Sequence, residues 1–169
     1  MEYNIDRKQI SKRRKEVDED FEKINSIIER IIKPYAESLD ESVLIITNAL
    51  HDINNPPTTQ ELDYYCLHLS TDIYWAGTMS EQLGIKDDIS KALYKEIYHT
   101  TRDNSEGTVK DKDSLAELAS QQEYLTNVCY SRAYRMMKAK VDAAQELLQS
   151  IKKVLAHRIS EQELTRLTK

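Results

Sequence analysis

The chain reads as an all-α protein built from long helices, and three observations predict this. Its 169 residues include Gly 3 and Pro 3, too few turn formers for many tight hairpins or for a phosphate-cradling loop. Apolar residues recur at three- and four-residue steps, the helical period, and do not alternate as strands require. From Ser114 to Arg158, 45 residues pass without Gly or Pro. All-β, doubly wound α/β and Gly-rich nucleotide-binding folds are disfavoured together. The length suits one domain, or a compact domain with an arm, and suffices to bury most of the apolar surface.

Taken in order, Ile10, Val17, Phe21, Ile24, Ile28 and Ile31 trace a first helix over residues 5–33, which Pro34 is expected to end or kink. Asp40 or Ser42 can cap a short second helix over 41–53. Asn54-Asn55-Pro56-Pro57 then makes the strongest break in the chain. It divides an N-terminal helical arm, residues 1–57, from a body, residues 58–169. Thr58 or Thr59 opens the body's first helix, with Glu61 and Asp63 in the turn where carboxylates favour the dipole. Its seam is Leu62, Cys66, Leu69, Ile73, Ala76, Met79 and Leu83, and Gly84 suits a C-cap.

Asp87 or Asp88 restarts a helix through Ile89, Leu93, Ile97 and Tyr98. The polar stretch Arg102 to Asp113 has no apolar period and reads as a loop. Asp113 or Ser114 caps the last long helix, with Glu117 completing a capping box after Ser114. Leu115, Leu118, Gln122, Leu125, Cys129, Met136, Ala143, Leu147, Ile151 and Val154 give it a stripe of near-heptad spacing. A helix of that length runs nearly 70 Å. It must pack along residues 58–99, against another chain, or both. Ser160 and Glu163 suit the start of a last short helix.

The net charge is −5, from 24 Lys+Arg and 29 Asp+Glu, which argues mildly against a generic polyanion binder. Its distribution says more. Between Lys33 and Lys86 lie 52 residues without a Lys or Arg, holding eight carboxylates from Glu37 to Glu81. Residues 130–158 hold seven bases and two acids. Arg7, Lys8, Lys12, Arg13, Arg14 and Lys15 form another basic cluster, followed at once by an acidic one. Two readings compete: acidic and basic helices satisfy each other within the chain, or one surface serves a polyanion and another a basic partner or subunit.

In Tyr130–Lys140, Arg135, Lys138 and Tyr134 fall away from the Leu stripe, together with Lys152 and Lys153. Cations interleaved with rings suit a single strand, because phosphates meet charge and unstacked bases meet aromatic faces. The competing reading is a solvated basic face. Lys91, Lys95 and Arg102 form a second, weaker basic strip. Lys140, near the middle of the stripe, reads as a side chain snorkelling at a helix or subunit edge.

Enzyme signatures fail one by one. His51-Asp52 lacks the further ligands a metal-dependent phosphohydrolase needs. Glu96-x-x-His99 has di-iron spacing, but no second such pair exists. GxSxG, P-loop, CxxC and HExxH patterns are missing. Cys66 and Cys129 read as reduced thiols of a cytoplasmic protein. The start lacks the apolar core of a signal peptide, and no run is long enough to span a membrane. No catalytic role, cofactor or metal is expected.

From Thr58 onward, TTQELDYY, then IYWAG (Ile73 to Gly77), then KALYKEIYH precede an acidic-polar hinge. GTVKDKDSL, Tyr124, VCYSRA (Val128 to Ala133) and an amphipathic helix to near His157 follow it. In order and residue character this resembles the UvsY family, the recombination mediators of T-even-like phages, over about 100 of the 169 residues. The resemblance implies a helical, ring-like homo-oligomer in the host cytoplasm. Such a protein binds single-stranded DNA, displaces or remodels the single-strand-binding protein and loads a RecA-like recombinase. It places DNA-contacting bases before the hinge, at Lys91 and Lys95, where Glu96 departs from the pattern. Self-association falls to Val128–Val154, and residues 1–57 have no counterpart.

The expectation is therefore a non-enzymatic mediator of long antiparallel helices. Lys91, Lys95, Arg102, Arg132, Arg135 and Lys138 would contact phosphates, and Tyr98 and Tyr134 would stack bases. Leu125, Cys129, Met136, Leu147, Ile151 and Val154 would join subunits or close the bundle. The alternative is a viral structural or adaptor protein that uses the same helix for assembly and binds no nucleic acid.

Overall fold

A computed structural model describes the backbone of residues 7–167 and the side chains of residues 15–167. It contains α1 (Arg7–His51), α2 (Thr59–Asn104), α3 (Val109–Ala119) and α4 (Gln121–Leu167). The described residues are all-helical, as the composition predicts. The side chains of Arg7, Lys8 and Lys12–Arg14 lie outside the described residues.

The core is a seam between α2 and α4, the pair of helices in longest contact. On α2, Leu62, Leu69, Ala76, Leu83 and Ser90 are buried, seven residues apart, with Cys66, Ile73, Ser80 and Asp87 between them. On α4, Tyr134, Met137, Val141, Ala144, Leu148, Ile151 and Leu155 repeat the same four-three spacing. That heptad keeps one apolar line facing its partner along the whole length. Each fully buried Leu, Ile or Met contributes about 1.5–3 kcal/mol. The Arg158 guanidinium donates to the Pro57 carbonyl, Tyr134 covers Gly84, and Asn127 donates to Asp87 Oδ1 at 2.9 Å. Positions on α2 thus rise as those on α4 fall.

The helix α1 lies along this pair and shares its core through Ile28, Ile32, Ala36, Leu39 and Ile46. Two polar contacts fasten it. The hydroxyls of Ser38 and Ser42 both donate to the Asp72 carboxylate on α2. The Lys140 ammonium on α4 meets Asp40 at 2.6 Å. Asp40 and Ser42, expected as caps, therefore sit mid-helix. Pro34 does not end α1, although a proline inside a helix costs about 3 kcal/mol. The stripe explains this, because Ile28 and Ile32 before Pro34 and Ala36 and Leu39 after it share one face. Stopping the helix would turn one set away from the core.

Two other expected breaks move. Gly84 is no cap, and α2 runs through it; among the described residues the positive-φ position is Gly107, at φ 115°. A Cβ on Gly84 would come within 3.3 Å of the Tyr134 ring, so the missing side chain makes room for a cross-helix contact. The stretch 102–113 is mostly helical, with α2 reaching Asn104 and α3 starting at Val109. Thr108 and Asp111 form the capping box there, not Ser114 and Glu117. The expected single helix from 113 onward is interrupted at buried Ser120, whose N–H and hydroxyl both donate to the Ala116 carbonyl. Beyond Arg158, α4 continues to Leu167 without a new cap.

Candidate nucleic-acid interface

The eight residues proposed to meet DNA fall into two groups. Lys91 and Lys95 on α2, and Arg132, Arg135 and Lys138 on α4, are exposed. None of the five has a carboxylate at ion-pair distance among the described residues. Their chemistry is that of solvated cations, free to neutralise phosphate. The other three are committed within the chain. Arg102 Nε donates to Asp113 Oδ1 at 2.6 Å, so its charge is matched by α3. Tyr98 donates to the same carboxylate at 3.4 Å, and its ring is edge-on to His99. Burial, and then the Asp113 charge, push the Tyr98 hydroxyl above its ordinary value. Tyr134 is half-buried, with its ring lying over Gly84.

The two cationic strips follow one another along the α2–α4 pair. Asn127 reaches Asp87 and the Ser90 hydroxyl, at 2.9 and 3.1 Å, and the rings of Tyr94 and Tyr124 lie 5.5 Å apart. Residues 91–95 of α2 therefore run beside 124–127 of α4. Arg132 begins one and a half turns further on, about 8 Å along the bundle. Tyr124 is exposed, and its ring meets that of half-buried Tyr94, which lies between Lys91 and Lys95 in sequence. Sequence reading noted Tyr124 only as an aromatic after the hinge, and nothing local announces a partner thirty residues away.

Lys86 is a cation of a different kind. Its ammonium lies 5.9 Å from the Tyr35 ring and 5.8 Å from the Tyr130 ring, which links all three long helices by cation–π attraction. Lys140 is likewise held, by Asp40, where a snorkelling side chain was expected. The bland reading of the charges, mutual satisfaction of acidic and basic helices, thus holds for Lys140 and Arg102. It does not hold for the five free cations.

Of the six assembly candidates, Cys129 and Ile151 are buried within the chain and Leu147 is half-buried against the core. These close the bundle. Leu125, Met136 and Val154 remain exposed. The expected stripe is displaced by one residue in its middle, where Met137, Ala144 and Leu148 turn inward in place of Met136, Ala143 and Leu147.

Both cysteines are free. Burial raises the Cys129 thiol, and burial raises the Cys66 thiol against a smaller opposing pull from Lys152. His51 and the pair Glu96 and His99 are exposed. Among the described residues no three His, Cys, Asp or Glu side chains are grouped to hold a metal. No described helix is long and apolar enough to cross a membrane. No family model, curated protein or solved structure matches the chain.

Proposed function

We propose that the chain is a non-enzymatic recombination mediator, a homo-oligomer of long antiparallel helices that binds single-stranded DNA. In the cytoplasm of a phage-infected host it helps load a RecA-like recombinase onto strands covered by single-strand-binding protein. The observation that carries this reading is the set of five exposed cations without an acidic partner, Lys91, Lys95, Arg132, Arg135 and Lys138. Their phosphate contacts would hold the strand while Tyr94 and Tyr124 offer ring surface to unstacked bases, each worth about 1–3 kcal/mol. Repetition of the site around an assembly multiplies weak contacts through effective concentration. Apart from Asp40 and Asp72, which are engaged within the chain, the cation-free stretch from Glu37 to Glu81 would face a basic partner or the neighbouring subunit.

The test is anisotropy of a labelled 30-mer single strand, beside a duplex of equal length. If all five cations meet phosphates, the salt slope on a single strand is about −3.5, roughly a hundredfold loss of affinity between 50 and 200 mM salt. Arg135→Glu with Lys138→Glu lowers that slope and leaves helicity intact. Salt-insensitive binding, or none at 50 mM, removes the reading. The second reading, an adaptor acting through homo-oligomerisation alone, is favoured by the apolar outer face of α2, with Tyr74 and Trp75 open to solvent. It then stands.

A further inference from the structure

The side of α2 turned away from the core is apolar over some eight turns. Tyr64, Leu67, Tyr74, Trp75, Ile85, Ile89 and Leu93 are between 47 and 69% exposed. Thr71, Thr78, Gln82 and Ala92 fill the gaps between them. No Asp, Glu, Lys or Arg enters the line Tyr64, Leu67, Thr71, Tyr74, Thr78, Gln82, Ile85, Ile89, Ala92, in a chain that is 31% charged; exposed Glu81 borders it on one side as Trp75 does on the other. An apolar stripe this long on a highly charged protein marks an interaction surface. Its spacing is that of a second helix-facing seam, on the opposite side of α2 from the one that meets α4.

We infer that this face binds the same face of a second copy, with the two α2 helices running in opposite directions about a twofold axis near Thr78. Three features select a second copy. The line is palindromic: residues lie 4, 7, 11 and 14 positions on either side of Thr78, so an antiparallel copy presents the same spacing to itself, as a twofold contact demands. In that register Leu67 meets the partner's Ile89, and Tyr64 meets the partner's Ala92, large against small. The area fits as well. At the 150–250 Å² an aromatic side chain carries, the exposed side chains offer on the order of 900 Å² per copy, where a standard interface needs about 800 Å². Charge supplies the third. Asp63 and Lys95 flank the two ends of the stripe; antiparallel pairing brings Asp63 beside the partner's Lys95, whereas parallel pairing sets Asp63 against the partner's Asp63. The surface is separate from the outer face of α4 and meets the proposed strand-binding set at one residue, Lys95, at its end.

Sedimentation of the full-length chain at about 50 µM tests the contact. The expected mass is an even multiple of the 19.7 kDa chain. Leu67→Glu with Ile89→Glu should halve it with unchanged helicity, since both side chains are exposed. An independent arm places Thr78→Cys in a Cys66→Ser background. Mild oxidation should give a covalent dimer at least tenfold faster than Ser150→Cys on the outer face of α4. A monomeric chain, an unchanged mass in the double variant, or equal cross-linking at 78 and 150 overturns the proposal.

Discussion

Gly77 and Gly84 are both in the interior of α2, one heptad apart, yet the structure gives them opposite answers to one substitution. Nothing lies within 4 Å of a Cβ built on Gly77, while a Cβ on Gly84 stands 3.3 Å from the Tyr134 ring. Alanine in a helix interior is favoured over glycine by about 1 kcal/mol. Gly77→Ala should collect that gain in full. For a chain of this size 1 kcal/mol shifts Tm by about 2–4 °C, so a rise of that order is expected. Gly84→Ala collects the same gain but drives a methyl into a packed ring, and overpacking costs about 1–3 kcal/mol. Its Tm should stay level or fall by several degrees. The assay is thermal unfolding followed by circular dichroism at fixed protein concentration, because association would otherwise move both values. Trimming Tyr134 to Ala lowers stability, but in that background Gly84→Ala should recover its gain of about 1 kcal/mol. Equal stabilisation by the two alanines in the parent chain would refute the reasoning. It would also release the Tyr134 ring for base stacking.

Three further outcomes are expected. Asp72→Ala takes the acceptor from Ser38 and Ser42; a loss of about 1–2 kcal/mol should appear as a lower Tm and faster chymotryptic cutting within residues 35–51, where Tyr35, Leu39 and Leu44 offer sites, and an unchanged cutting rate contradicts the contact. Glu61 is held below the ordinary carboxylate range by the Thr58 N–H and then its hydroxyl, and Asp111 by the Thr108 hydroxyl and then its N–H. A lowered folded value stabilises above the unfolded one and is lost as pH falls through it, so helicity should decline below about pH 4. Glu61→Gln with Asp111→Asn should flatten that decline, and an identical acid transition speaks against it. Because burial raises both thiols, Cys66 and Cys129 should react with a disulfide reagent at neutral pH more slowly than free cysteine and quicken on unfolding. Immediate reaction of both in the native chain would mean the α2–α4 seam is open.

Much of the fold was legible because its determinants are periodic. The α2 seam is readable at Leu62, Leu69, Ala76 and Leu83, which repeat every seven residues with Cys66, Ile73 and Ser80 between them. The α4 seam is less so, because Met136-Met137, Ala143-Ala144 and Leu147-Leu148 are adjacent pairs of equal hydropathy. Either member could turn inward, and packing against α2 decides. Helix breaks were misplaced where a local rule met a long-range contact, at Pro34 beneath the α1 stripe and at Gly84 beneath Tyr134. The α3 cap was visible in Thr108-x-x-Asp111 but masked by the polarity around it. The charges of the candidate site were all visible. Which of them are spent on partners was not, since Arg102 finds Asp113 across a chain reversal and Lys140 finds Asp40 a hundred residues away.

Pro34 has a consequence for how α1 comes apart. Without an amide hydrogen it leaves the Arg30 carbonyl outside the hydrogen-bond ladder, so two helical segments meet at one missing rung. They are anchored unequally. Ser38, Asp40 and Ser42, the bonds to Asp72 and Lys140, all lie on the C-terminal side, while the N-terminal side is held by apolar contacts at Ile24, Ile28, Ile31 and Ile32. Opening should therefore occur in two steps, each with its own free energy. In deuterium exchange, amides of residues 15–33 would label first while those of 35–51 stay protected. The helix is continuous in shape but divided in cooperativity, so a partner could peel back its first half without undoing the bundle beneath.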